Sequence, residues 1–136
     1  MQEITVKATS EHLQLVTQFV NVQLEKLGCS QRILIQVDVM IDELFSNIVQ
    51  YAYNLETGPV TVRVDVEDNP LCVIITFIDH GAPFDPLSHE FRDSTHLLAK
   101  ERPIGGLGLF MVKRTMDDIS YCHQNGQNIL TIRKRI

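Results

Sequence analysis

The chain has 136 residues, of which 44% are hydrophobic and 21% charged, and a formal net charge of −5 at pH 7. This length and balance predict one globular domain with its own core and argue against a disordered chain. The negative charge disfavours direct binding to nucleic acid, which usually needs a basic surface. No apolar run approaches the length of a membrane span and no secretion signal follows Met1, so we expect a cytoplasmic protein without a membrane partner.

The apolar spacing predicts a strand and then two helices in the first part of the chain. An alternating stretch over residues 4–7 is typical of a strand, and apolar side chains at helical spacing predict a helix over residues 11–27. Gly28 is placed to end that helix, and Ser30 to cap a longer one that runs to about Tyr53. Apolar residues surround this second helix almost completely, so we expect it to be largely buried.

The pattern changes to alternation after the second helix. Residues 60–67 alternate between apolar and polar side chains, and an apolar run over residues 71–78 follows a short turn, which together predict a hairpin. Residues 80–103 follow neither period and contain Gly81, three Pro, three His and several charged side chains. A loop of this length in a compact domain is usually functional.

Helical spacing returns over residues 105–118, and alternation predicts two last strands over residues 119–123 and 128–135. The predicted order is a strand, two helices, two strands, a loop, a helix and two strands. This order is typical of an α+β fold in two layers, with three helices on one face of a mixed β-sheet. We expect residues 1–136 to form a single domain.

Two polar side chains interrupt the apolar second helix. Glu43 and Asn47 are four residues apart and so project from one face, one turn apart. A carboxylate can accept a proton from a hydroxyl group or a water, and a neutral amide oxygen suits Mg²⁺. The alternative is a polar pair on a solvated helix surface. Polar side chains that face inward from a buried helix need partners, however, which favours a functional role.

A third acidic position follows an apolar strand. Asp79 ends the run and enters a turn at Gly81, where the missing side chain permits the close approach of a ligand. A carboxylate at a strand end can accept the exocyclic amino group that distinguishes adenine from guanine. The alternative is an Asp that only caps the turn.

A glycine-rich segment precedes the last predicted helix. Its residues are Gly105, Gly106, Leu107, Gly108 and Leu109. Glycines free backbone N–H groups to approach phosphates, and a helix N-terminus adds a favourable dipole. The segment is neither a Walker A motif nor a dinucleotide fingerprint, and a flexible hinge is the alternative. Just upstream, Lys100 and Arg102 are placed either to meet phosphate oxygens or to remain solvated charges.

In this order the three motifs resemble those of the GHKL ATPases, the superfamily of histidine kinases and gyrase-type ATPases, which has the Bergerat-type ATP-binding fold. The resemblance spans nearly the whole chain and is closest to the small anti-sigma factor serine-protein kinases. Residues 43–47 resemble the N box, residues 79–86 the first glycine box and residues 101–109 the second. Residues 51–53 read Tyr-Ala-Tyr where many relatives carry His-Gly-Tyr.

The resemblance implies a role for each motif residue. Glu43 is then the general base and Asn47 the Mg²⁺ ligand, while Asp79 reads the adenine amino group. The glycines of the second box are expected to wrap the phosphates under a lid at about residues 80–104, where Arg102 assists the γ-phosphate.

The resemblance also implies ATP and Mg²⁺ as cofactors, with Gly81, Lys100 and Asn128 in the nucleotide-binding set. Asn128 stands where superfamily members often have a Thr that supports the adenine-reading Asp. Family kinases phosphorylate a serine of an anti-anti-sigma partner and sequester a sigma factor, often as homodimers. The expected function is therefore an ATP-dependent serine kinase that regulates a sigma factor by partner switching. The alternative is a non-enzymatic, nucleotide-gated regulator of the same fold.

Overall fold

The computed structural model describes residues 1–53, 56–87 and 106–136. The helices there are α1 (Leu13–Lys26), α2 (Gln31–Tyr51) and α3 (Gly106–Thr115), with a 3₁₀ helix (Ser10–His12) before α1. The strands are β1 (Gln2–Lys7), β2 (Pro59–Glu67), β3 (Cys72–Asp79), β4 (Asp118–Gln124) and β5 (Gln127–Arg135). The order of elements is the predicted one. No helix in these described ranges is long and apolar enough to cross a membrane.

The signals that separate α1 from α2 act as the sequence predicts. Gly28 has a φ of +74°, a conformation that favours glycine, and its N–H donates to the carbonyl of Glu25 at 3.0 Å. The hydroxyl group of Ser30 accepts the N–H of Ile33 at 3.3 Å, which caps the first turn of α2. The two helices are therefore joined by a short connection with its own hydrogen bonds.

The strands form one sheet in the order β1-β2-β3-β5-β4, and all four pairings between them are antiparallel. The sheet is thus antiparallel rather than mixed, which corrects that part of the prediction. α3 lies between β3 and β4 in the chain, and these two strands run parallel to one another because each is antiparallel to β5. The β4–β5 hairpin, however, places β5 between them, so they share no hydrogen bonds.

The hydrophobic core lies between the helices and one face of the sheet. Alternate residues of the central strands are buried, and the register aligns Val62, Phe77 and Leu130 side by side on that face. Fully buried helix residues of the same core are Val20, Phe45 and Val112. All three helices therefore cover one face of the sheet, and the fold is a two-layer α+β sandwich, as predicted.

Candidate functional site

A mostly apolar pocket lies between α2 and the sheet, where β3 ends and β5 begins. It encloses about 350 Å³ of space, open solvent at its mouth included. Its lining residues are Leu44, Asn47, Ile48, Ala52, Phe77, Asp79, Phe84, Pro86, Tyr121, Asn128 and Leu130. Three of the predicted site residues, Asn47, Asp79 and Asn128, are thus brought together.

Asp79 lies at the end of β3 with only 4% of its surface exposed. Its Oδ1 accepts two hydrogen bonds of 2.8 Å, from the backbone N–H of Gly81 and from the side-chain amide of Asn128. Its Oδ2 has no hydrogen-bond donor within residues 1–53, 56–87 and 106–136. One oxygen therefore fixes the carboxylate, and the other remains an acceptor in the pocket.

Asn128 is the residue of β5 that pairs with Asp79 across the sheet. Besides the bond to Asp79, its amide nitrogen donates to the carbonyl of Ala82 at 2.8 Å. Its oxygen accepts the backbone N–H of Phe84 at 3.2 Å and the hydroxyl group of Tyr121. A single buried amide thus joins β3, β4 and the segment that follows β3, which is more than the one hydroxyl group of a Thr can supply.

The C-terminal end of α2 holds the same segment from the other side. The carbonyl of Ala52 accepts the N–H of Ala82 at 2.9 Å, and the hydroxyl group of Tyr53 accepts the N–H of His80 at 2.8 Å. A Cβ added to Gly81 would lie 2.1 Å from the carbonyl oxygen of Ala52. In this structure the missing side chain of Gly81 therefore allows the backbone of α2 to approach closely.

Two aromatic rings stack beside the pocket. Tyr51, at the end of α2, and Phe84 have ring centroids 4.7 Å apart and planes only 13° from parallel. Sequence reasoning missed Tyr53, Tyr121 and Phe84 as parts of this site. For Tyr121 a signal was present, because counting back from the β4–β5 turn places it diagonally across from Asn128 on the same face.

Glu43 lies one turn before Asn47 on α2, at the boundary with α3 and outside the pocket lining. Its carboxyl group is half-buried, and this burial, aided by the negative charge of Asp42, raises its pKa from 4.5 to about 7. The described residues give the Glu43 carboxyl group no hydrogen bond. The structure therefore places a carboxyl group of elevated pKa next to the pocket.

The glycine-rich segment is only partly described. α3 begins at Gly106, and Gly108 lies against the side chain of Glu43. The side chain of Leu109 is 4% exposed and belongs to the hydrophobic core, so only its backbone is available to a ligand. The remaining predicted site residues lie outside the part of the chain that the structure describes. They are Lys100, Arg102, Gly105 and the side chain of Leu107.

Residues 6–134 match the family described as the histidine kinase-like ATPase domain. The match covers most of the chain, so the protein belongs to this family, and membership implies ATP binding. The chain is also similar to the serine-protein kinase RsbW of Bacillus thuringiensis (strain Al Hakam), with 24% identity over 131 residues that cover 94% of this chain and 81% of that protein. RsbW of Bacillus cereus (strain G9842) is 25% identical over the same shares. The predicted superfamily is thus confirmed.

Proposed function

We propose that this protein is an ATP-dependent serine kinase of the anti-sigma type. It transfers the γ-phosphate of ATP to a serine of an anti-anti-sigma partner and so regulates a sigma factor by partner switching. The observation that carries the proposal is Glu43, a half-buried carboxyl group with a pKa of about 7, one turn from the pocket residue Asn47. The similarity to RsbW, named as a serine-protein kinase, supports the choice of reaction.

In this proposal Asp79 selects adenine. Because Gly81 and Asn128 both donate to Oδ1, the carboxylate is held in one orientation and Oδ2 accepts the adenine amino group. Guanine presents an oxygen at the equivalent position, so two acceptors would face each other at a buried site. Such a contact leaves polar atoms unpaired and rejects the wrong base strongly.

Asn47 is the proposed protein ligand of Mg²⁺. Within residues 1–53, 56–87 and 106–136 no three His, Cys, Asp or Glu side chains cluster to hold a metal. A single amide oxygen nevertheless fits Mg²⁺ in a nucleotide site, where phosphates and waters complete its coordination. When bound, the ion neutralises charge on the phosphates. Lys100, Arg102 and the backbone of Gly105 and Gly106 are the proposed further phosphate contacts.

Glu43 is the proposed general base. A pKa of about 7 leaves a substantial ionised fraction at neutral pH, which is the condition in which proton acceptance is most efficient. The serine O–H bond breaks as its proton moves to a Glu43 oxygen, and the serine oxygen forms a bond to the γ-phosphorus. The bond from that phosphorus to the bridging oxygen breaks, and ADP leaves.

The test is transfer of labelled phosphate from ATP to a serine-bearing anti-anti-sigma domain. We expect transfer by the unchanged protein and a loss of about 10²-fold or more in Glu43→Gln, because proton acceptance typically contributes that much. Mg-ATP binding should persist in this variant, and Glu25→Gln, the same substitution at an exposed position of α1, serves as the matched control. Absence of transfer, or equal rates for Glu43→Gln and the unchanged protein, would refute the proposal. Mg-ATP binding that Asp79→Asn abolishes, without turnover, would instead support a nucleotide-gated binding regulator.

A further inference from the structure

We infer that Gly108 is a positioning residue for Glu43, because its missing side chain lets the first turn of α3 close over the Glu43 carboxyl group. The inference rests on the proposed role of Glu43 as the base. It gives Gly108 a function different from that of a phosphate-wrapping glycine, which is the role that the motif suggests for all three glycines of the segment.

The geometry at Gly108 leaves no room for a side chain. A Cβ added there would lie 2.2 Å from Oε2 of Glu43, 2.8 Å from Cδ and 3.4 Å from Cγ. A Cβ atom essentially never lies within 3.0 Å of a heavy atom from another part of the chain, so either the turn or the carboxyl group has to move. Gly108 has ordinary helical backbone, where alanine is the better helix former. Glycine is therefore needed at position 108 because it leaves space for Glu43, and not because of its conformational freedom.

In Gly108→Ala we expect the Glu43 carboxyl group to move, and not helix α3. The buried side chains of Leu109, Val112 and Met116 anchor α3 in the hydrophobic core, which resists a shift of the helix. Among the described residues Glu43 forms no hydrogen bond, and its carboxyl group lies against Gly108 of α3. A methyl group at position 108 would push that group away from its place against the first turn of α3.

The first experiment compares transfer with nucleotide binding in Gly108→Ala. We expect the rate at saturating Mg-ATP to fall about tenfold or more, because a displaced base is misaligned with its proton. The Kd of Mg-ATP should change less than about threefold, since the nucleotide contacts remain. Met111→Ala, an exposed position on α3, is the control for general perturbation of the helix and should leave both values unchanged. A tenfold weaker Kd with an unchanged saturated rate would overturn the inference and make Gly108 a phosphate contact.

The second experiment needs no activity and measures Tm in a double-mutant cycle with Glu43→Ala. Once Glu43 is truncated, Gly108→Ala should raise Tm by several degrees through helix propensity. With Glu43 present, the same substitution should give little gain or a loss, because the methyl group meets the carboxyl group. Equal effects of Gly108→Ala in both backgrounds would overturn the inference. If the unchanged protein transfers no phosphate, the proposed function fails, and this cycle still decides whether Gly108 makes room for Glu43.

Discussion

Replacing Glu43 by Gln should stabilise the protein at alkaline pH while it removes the proposed base. The substitution keeps the shape of the side chain and deletes its charge. Burial raises the pKa of Glu43 from its ordinary value of 4.5 to about 7 in the folded protein, so the native state binds this proton more tightly than the unfolded chain. The resulting stabilisation is complete below pH 4.5 and is lost as the pH rises through 7.

The size of the effect follows from that difference in pKa. When the pKa values of the folded and unfolded states differ by one, the free energy of unfolding changes by about 1.4 kcal/mol. The difference of about 2.5 for Glu43 therefore corresponds to roughly 3 kcal/mol. Glu43 is only half-buried, and solvent screens its charge, so we expect about 1–2 kcal/mol. Glu43→Gln should therefore be more stable than the unchanged protein by that amount at pH 8, with the advantage shrinking towards pH 5.

Denaturant unfolding at pH 5, 6, 7 and 8 measures the effect directly. The control is Glu25→Gln, which makes the same substitution at an exposed position of α1 and should change the free energy of unfolding by less than about 0.5 kcal/mol at every pH. A Glu43→Gln protein that is less stable at pH 8, or whose difference from the unchanged protein is constant with pH, would contradict the argument. The raised pKa could then not arise from burial of the charge.

Two further substitutions test the hydrogen bonds around Asp79. Asn128→Ala leaves the Ala82 carbonyl and the Phe84 N–H without their partner, so we expect unfolding to become about 2–4 kcal/mol easier and Mg-ATP to bind at least tenfold more weakly in calorimetry. A loss below about 1 kcal/mol would contradict the role given to this amide. Tyr53→Phe should cost about 1–2 kcal/mol in denaturant unfolding, because its hydroxyl group also donates to the carbonyl of Pro59 at 2.6 Å. Tyr51→Phe is the matched control, and an equal loss there would show that the hydroxyl bridge of Tyr53 contributes nothing.

The order of elements could be predicted because each element carries a local signal. Ser30 and Gly28 mark helix ends through the hydrogen bonds and backbone angles of their immediate neighbours. The relative directions of paired strands could not be predicted in this way, because they depend on which strands become neighbours. A sequence shows that α3 crosses from β3 towards β4, but it does not show that β5 enters the sheet between them.

The candidate site likewise has residues that local sequence features predict and contacts that they do not. The spacing of Glu43 and Asn47 and the end of a strand at Asp79 are local features, and they could be read from the sequence. Five hydrogen-bonding groups meet at Asn128, the carbonyl of Gly81 at 3.4 Å included, and they come from positions up to 49 residues away. The partner of Gly108 lies on another helix. Such contacts depend on tertiary packing, which no local spacing encodes.

These contacts also explain why α2 is central to all three motifs. Gly81 of the first glycine motif meets the Ala52 carbonyl at the end of α2. Gly108 of the second motif meets the side chain of Glu43, which lies two turns before the end of the same helix. In both places a side chain would collide with the helix that carries Glu43 and Asn47. The two glycines are therefore needed first for the approach of their backbone to α2.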